Sequence, residues 1–365
     1  MNYKTVAIIE AIALIVISVG FGYYVFSFNQ QAITLSGAGA TFPAPLYQKW
    51  SEEFNGLTGA QINYEGIGSG AGVKQFTNKT VDFGASDPPM KDSEFAAAPG
   101  TLHLPMTIGG VVVIYNIQSV QTRLNFTGEI IADIFRLNIT RWNDPRLIAL
   151  NPSVNLPNQP IYVVHRSDSS GTTKVFTSFL SDENAAWQST YGAVNVVNWP
   201  TGTYGGPGNS GVAQQVQLND NSIGYVELNY AIQNGIPYGK VLNSATSEFV
   251  EPAFDTLKAA ATSIPNLPAG NQSWASVGAY FKRPSSGYPI TSFSYILVYK
   301  ELNVVPGMTL EKAKTLAWFL WWAIHDGQSY AAAKSYVPLP DAVVTLDEAT
   351  LRMMTFNGQQ IHSWS

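Results

Sequence analysis

The chain has 365 residues, with 20 Lys and Arg against 25 Asp and Glu, a formal net charge of -5, and only 12% of residues charged. That is about half the usual share, and no Lys/Arg cluster offers the basic face that a duplex nucleic-acid binder needs. The absence of cysteine excludes disulfides, thiolate chemistry, Cys-ligated metal and a lipid anchor on an N-terminal cysteine.

The first element is a membrane segment. Thr5 to Phe28 is almost continuously apolar, broken by Glu10 and a few small polar residues. Roughly two dozen helical residues reach about 36 Å, enough to span a bilayer with some tilt. Lys4 and the amino terminus flank one end, while Asn29-Gln30-Gln31 at the other is uncharged. The positive-inside tendency then leaves the terminus in the cytoplasm and the rest outside. The expectation is an uncleaved anchor over residues 1–31, with a cleaved signal peptide as the alternative. The apolar core of such a peptide is usually about 7–15 residues, and Ser27-Phe28-Asn29 is a poor cleavage site. Sequons at Asn78, Asn125, Asn138 and Asn271 agree with an external location, but a chain this rich in Asn and Thr yields several by chance.

A short strand from Ile33 then runs into Gly37-Ala38-Gly39-Ala40-Thr41-Phe42-Pro43-Ala44-Pro45. The prolines suit the first turn of a helix, where a missing N–H is harmless, and Leu46, Tyr47, Trp50 and Phe54 form its apolar face. Thr41 and Phe42 thus stand at a helix entrance. Gln61 to Glu65 alternates like a strand and leads into Gly66-Ile67-Gly68-Ser69-Gly70-Ala71-Gly72. These glycines fit neither a dinucleotide fingerprint nor a P-loop, but they form another strand-to-helix turn with a hydroxyl, Ser69, at its entrance. Val81 to Pro89 is a strand ending in Asp87, fixed by two prolines.

Gly109 to Asn116 is a strongly apolar strand able to connect two lobes. Near the middle of the chain, Ile161 to Val164 is a buried strand. It is followed by His165-Arg166-Ser167-Asp168-Ser169-Ser170-Gly171-Thr172 and a helix beginning at Thr173. Orphan N–H groups, two hydroxyls and the positive end of the helix dipole favour an anion there. Arg166 supplies a planar fork of donors, and Asp168 stands where it would hold that guanidinium from behind. An ordinary N-cap and a surface ion pair would read the same way. Ser222 to Glu227 is a further buried strand, about 243–283 carries no assignment, Pro289 to Tyr299 is a candidate second crossing strand, and Thr309 to Trp322 is helical. Trp318, Phe319, Trp321 and Trp322 are expected as packing residues. Strands alternating with helices indicate an α/β protein with largely parallel sheets, which bind ligands at strand-to-helix turns.

These motifs, with Arg141-Trp142-Asn143-Asp144-Pro145, Gly224-Tyr225-Val226-Glu227 and Leu339-Pro340-Asp341 in the same order, resemble the substrate-binding proteins of high-affinity phosphate ABC transporters. The resemblance runs from about Leu35 to Val344. It implies an α/β, two-lobed type II periplasmic-binding-protein fold with a hinge of two crossing strands, preceded here by the N-terminal transmembrane helix. Lobe 1 would be 32–111 plus 287–365, and lobe 2 would be 112–286. It further implies phosphate ligation by Thr41, Phe42, Ser69 and Asp87 from lobe 1 and by Arg166, Ser170, Gly171 and Thr172 from lobe 2, with Asp168 bracing Arg166. Gly70 stands where relatives often have a second Ser, a departure expected to loosen that turn.

The partners expected are inorganic phosphate, the permease subunits of a phosphate importer, and the membrane through the N-terminal helix; no cofactor or metal, no nucleic acid and a monomeric state are expected. Asp87 is the discriminating residue: an ionised carboxylate only accepts hydrogen bonds, so it needs an oxyanion that still carries a proton. Catalysis is not expected, because the chain lacks a Gly-x-Ser-x-Gly elbow, a His-Glu-x-x-His pair and a carboxylate cluster, and His103, His165, His325 and His362 are scattered. A surface phosphate sensor or adhesive protein on the same fold, or a receptor for another protonated oxyanion such as arsenate, remains open.

Overall fold

The computed structural model describes residues 33–361 apart from 121 and 265. The expected anchor, 1–31, lies outside these residues. Among the described residues, no helix is long and apolar enough to cross a membrane.

The strands of the two larger sheets are β1 (Thr34–Gly39), β2 (Gln61–Gly66), β3 (Phe83–Ser86), β4 (Thr101–Asn116), β5 (Asn125–Phe126), β6 (Tyr162–Arg166), β7 (Tyr204–Gly206), β8 (Ser222–Glu227), β9 (Lys240–Asn243), β10 (Glu248–Val250) and β11 (Thr291–Tyr299). Eight of them form one sheet in the order β2-β1-β3-β11-β4-β8-β6-β7. The helices that concern the site are α1 (Ala44–Thr58), α2 (Ser69–Thr77), α3 (Gly128–Phe135), α4 (Gly171–Glu183), α5 (Gly208–Leu218), α6 (Leu228–Gln233), α7 (Leu310–Ile324) and α8 (Asp341–Leu351).

The sheet is mixed rather than largely parallel. β1 pairs parallel with β2 and β3, and β6 pairs parallel with β7 and β8. In the centre, β11 runs antiparallel to both β3 and β4, and β4 antiparallel to β8. β4 is longer than the expected strand because it extends back to Thr101, through Pro105. A register shift between Ser294 and Tyr295 of β11 accommodates that proline, which has no N–H for a regular ladder.

The central strand β4 joins the two halves of the sheet. Thr101 to Gly110 pairs with β11, and Val111 to Asn116 pairs with β8. β11 begins opposite Gly110 and does not continue into the second half, so the hinge is not two crossing strands. The return of the chain through 284–290 contains Pro284, Gly287 and Pro289, which interrupt a ladder. That segment is held instead by Tyr288 N–H on Thr256 O (3.0 Å) and by Val111 N–H on Ile290 O (2.9 Å).

Apolar spacing becomes packing in α1, whose Leu46, Tyr47, Trp50 and Phe54 are all buried. Trp50 stacks on Tyr47, and its indole N–H donates to Gly327 O at 2.7 Å. Phe54 meets Trp318, Phe319 and Trp322 of α7 edge-on or tilted. Phe319 and Trp322 are buried as expected, but Trp318 keeps 50% of its surface exposed, since it follows exposed Glu311 and Lys314 along the outer row of that helix.

Candidate functional site

Register brings the chemistry together. Parallel pairing aligns Gly39 with Gly66 and with Ala85, so β1, β2 and β3 end side by side. The residues that follow these ends are Thr41 and Phe42, Ser69 at the first position of α2, and Asp87. In the other half, Arg166 pairs with Gly206, and β8 lies parallel on the other side of β6. Beyond those ends come Ser170 to Thr172 at the start of α4, Asn209 in α5, and Tyr230 in α6. Both sets of strand ends meet.

The contact is close. A Cβ built on Gly171 would lie 2.2 Å from Ser69 Oγ and 2.3 Å from Asp87 Oδ2, so glycine permits the first turn of α4 to approach these residues. Gly70 does the same on the opposite side. Its N–H donates to Ser169 O at 3.0 Å, and a Cβ there would lie 2.0 Å from Ser169 Oγ. The turn is therefore not loosened by Gly70: the missing side chain is replaced by a backbone contact across the two halves.

Arg166 is buried at the end of β6. Its Nε and Nη2 donate to the two oxygens of Asp168 at 2.8 and 2.6 Å, and Nη1 donates to Thr172 Oγ1 at 3.2 Å. The remaining guanidinium protons have no part in this pairing. Burial raises the Asp168 carboxyl, but the bonds and charge of Arg166 and the Gly208 N–H (3.1 Å) outweigh it and hold the group below its ordinary range.

Hydroxyl polarity follows from the partners. Thr41 Oγ1 accepts from Asn209 Nδ2 at 2.8 Å, and Thr172 Oγ1 accepts from both Asn209 Nδ2 (3.1 Å) and Arg166. Ser170 Oγ accepts from Thr173 N–H (3.0 Å) as the N-cap of α4, and Ser69 Oγ from Asp87 N–H (3.1 Å). With their oxygens accepting from protein groups, these hydroxyls are left as donors. Asn209 is itself fully engaged, since its Oδ1 accepts the Glu227 N–H at 3.0 Å. Tyr230 OH donates to Thr41 O at 2.7 Å, and a planar trans peptide then turns the Phe42 N–H the opposite way. Phe42 O accepts from Tyr336 OH (2.6 Å) while the Phe42 ring is buried in the core beside Tyr336.

Asp87 is the acceptor among these donors. Its Oδ1 takes the Ser294 hydroxyl at 2.9 Å, whereas its Oδ2 has, among the described residues, only a long contact, 3.4 Å, with Ser69 Oγ. Burial pushes the carboxyl up to about 7, against the Ser294 bond and the nearby Arg166 charge. It is therefore not simply an ionised acceptor: near neutrality the carboxyl divides between charged and protonated forms. Behind it, burial raises Glu227 well above the usual carboxylate range. His165 points away, stacked on Trp199 at 4.6 Å with Nδ1 2.9 Å from Arg166 O. Among the described residues no group of three or more His, Asp and Glu is placed to hold a metal ion.

Thr41, Phe42, Ser69, Asp87, Arg166, Ser170, Gly171 and Thr172 thus converge, with Asp168 paired to Arg166. Sequence reasoning missed Asn209, Ser294, Tyr230 and Tyr336. Only Asn209 carried a signal, since Gly205-Gly206-Pro207-Gly208-Asn209 is another Gly-rich strand-to-helix turn. Ser294 is embedded in an apolar strand, and the tyrosines are remote in sequence.

Known proteins supply an independent comparison. The model of the PBP superfamily domain matches residues 28–326. The phosphate-binding protein PstS of Pasteurella multocida is 41% identical over 325 residues, covering 87% of this chain and 90% of that one. That of Methanocaldococcus jannaschii is 35% identical, with 96% of each chain covered. Among solved structures, a high affinity periplasmic phosphate-binding protein bound with phosphate has a TM-score of 0.72 at 24% identity, covering 87% of this chain and 93% of that one. The phosphate binding protein from Stenotrophomonas maltophilia has a TM-score of 0.68 at 20% identity, covering 88% and 94%. At these identities the structures speak for the fold. The two sequence relatives go further: the chain belongs to the PBP superfamily and, within it, to the PstS family of phosphate-binding proteins.

Proposed function

We propose that this protein captures inorganic phosphate between two lobes, 32–111 plus 287–365 and 112–286, and delivers it to the permease subunits of an ABC importer. The observation that carries this reading is the composition of the site: four hydroxyl donors, helix-entrance N–H groups and the buried Arg166 surround one carboxyl, Asp87. Such donors suit a dehydrated tetrahedral oxyanion, because hydrogen bonds to a charged group are roughly twice as strong as neutral ones. Phosphate brings its own proton, which one free oxygen of Asp87 accepts. Donors from both lobes engage together only when the lobes are closed, so phosphate shifts the population toward that form. Arsenate, with the same shape and protonation, fits the same donors. The work is binding and release, without bond-breaking chemistry. The protein acts outside the cytoplasm, with residues 1–31 as its anchor.

Calorimetry of the full chain with phosphate, and separately with sulfate, at pH 8 tests the reading. One-to-one phosphate binding with sulfate at least about a hundredfold weaker is expected, since an ionised Asp87 would face sulfate without a proton between them. Equal affinity for both anions would replace the proposal with a general oxyanion receptor.

A further inference from the structure

Beside the anion site lies a cavity of about 510 Å³ that none of the eight converging residues lines. That volume is in the range of small-molecule sites. One wall comes from the first half of the molecule: Gly70, Val73, Pro88 and Pro89. A second is one face of α4, with Lys174, Ser178 and Ser181 at i, i+4 and i+7, together with Ala193 and Asn195. The third is Ala275 to Tyr280, within the stretch left unassigned by the sequence.

The charges of the cavity are unequally matched. Asp182 is paired with Lys282 at 2.8 Å and accepts from Tyr280 OH, and Glu94 lies 3.9 Å from Lys91. Asp92 is exposed at the start of its helix and accepts from Ser273 Oγ. Lys174 is different. Its ammonium is half-buried, donates to the Ala193 carbonyl at 2.6 Å, and has no carboxylate within ion-pair distance among the described residues. Burial and the neighbouring Lys91 both press it toward the neutral form. An anionic group beside it would relieve both effects.

We propose that this cavity binds a small organic carboxylate, its head on the Lys174 ammonium and its apolar body against Val73, Pro88, Pro89 and Val277. The occupant communicates with the anion site through shared walls. Gly70 and Ser86 adjoin Ser69 and Asp87 in the chain, and Asn195 O accepts the Ser170 N–H at 3.1 Å. Because the walls come from both halves, an occupant holds them together and raises phosphate affinity; by linkage, phosphate raises its affinity in turn. This coupling, unlike the cavity, rests on the phosphate reading.

The test uses the full chain, with 4-fluorobenzoate and 6-fluorohexanoate as probes observed by fluorine NMR, and phosphate affinity measured separately by equilibrium dialysis. At least one probe should bind, with affinity weakened about tenfold or more in Lys174→Met and retained in Lys174→Arg. Ala279→Trp, which fills the cavity, should abolish binding. Absence of binding by both probes, or equal binding by wild type and Lys174→Met, would overturn the site. Unchanged phosphate affinity with probe bound would overturn the coupling. A protein that binds a probe but no phosphate would refute the phosphate reading and leave the cavity assignment standing.

Discussion

Asp87 sets the chemistry at the scale of single residues. Burial raises its carboxyl to about 7, so the protonated form grows as pH falls through that value. A protonated Asp87 donates where the ionised form accepts, which admits an oxyanion without a proton. Sulfate competition against phosphate should therefore be negligible at pH 8 and grow as pH falls toward 5. Asp87→Asn, a permanent donor, should bind sulfate with little pH dependence across that range; competition dialysis at several pH values checks both. Asn209 acts differently, since it touches Thr41 and Thr172 at once and directs their hydroxyls. Asn209→Ala should weaken phosphate roughly ten- to a hundredfold while sulfate at pH 8 remains excluded. If calorimetry finds phosphate affinity unchanged, the hydroxyls are oriented without it. Ser69, Asp87 and Arg166 were legible because each lies at a strand end or in the turn and helix entrance that directly follow one. Ser294 was not, because only strand pairing brings it to Asp87.

At the scale of elements, helix entrances carry both stability and binding, and caps separate the two. Thr127 caps α3 by accepting the Ile130 N–H at 3.1 Å, and Ser170 caps α4 by accepting the Thr173 N–H at 3.0 Å. Removing either hydroxyl should cost about 1 kcal/mol in urea denaturation. Thr127→Ala should leave phosphate affinity intact, whereas Ser170→Ala should also weaken it, because in the proposed site its O–H donates to the anion. Equal phosphate affinity in the two variants would assign Ser170 a capping role alone. Helix starts and strand ends were readable from Gly, Pro and hydroxyl residues in sequence. The length of β4 was not, because Pro105 argues against a strand and a bulge at Met106, in β4 itself and defined only by pairing with β11, removes the conflict.

At the scale of the molecule, three buried carboxyls act together. Burial raises Asp87, Glu227 and Asp347, and both oxygens of Asp347 lack a hydrogen-bond partner among the described residues. A group raised on folding contributes stability that is fully present below its unfolded value, near 4, and lost as pH rises through the folded one. The urea midpoint of the phosphate-free protein should therefore fall as pH rises from 4 through 7 and continue falling above it. Asp347→Asn, neutral at every pH, should flatten this slope and raise the midpoint at pH 8; an unchanged slope would show that Asp347 does not ionise in this range. Lobe closure has its own measurement: phosphate should reduce the radius of gyration in X-ray scattering.

Taken by itself, the sequence determined the alternation of strand and helix, the Gly-rich turns at helix entrances, and the polar residues that gather there. These properties are local, set by backbone sterics, capping and spacing within a few residues. Tertiary structure decided the rest: the approach of Gly171 to Asp87, the bridge of Asn209 between Thr41 and Thr172, the single strand shared by both halves, and the cavity beside Lys174. Each depends on parallel register and on burial between segments far apart in the chain. Desolvation and hydrogen-bond partners arise only when those segments meet.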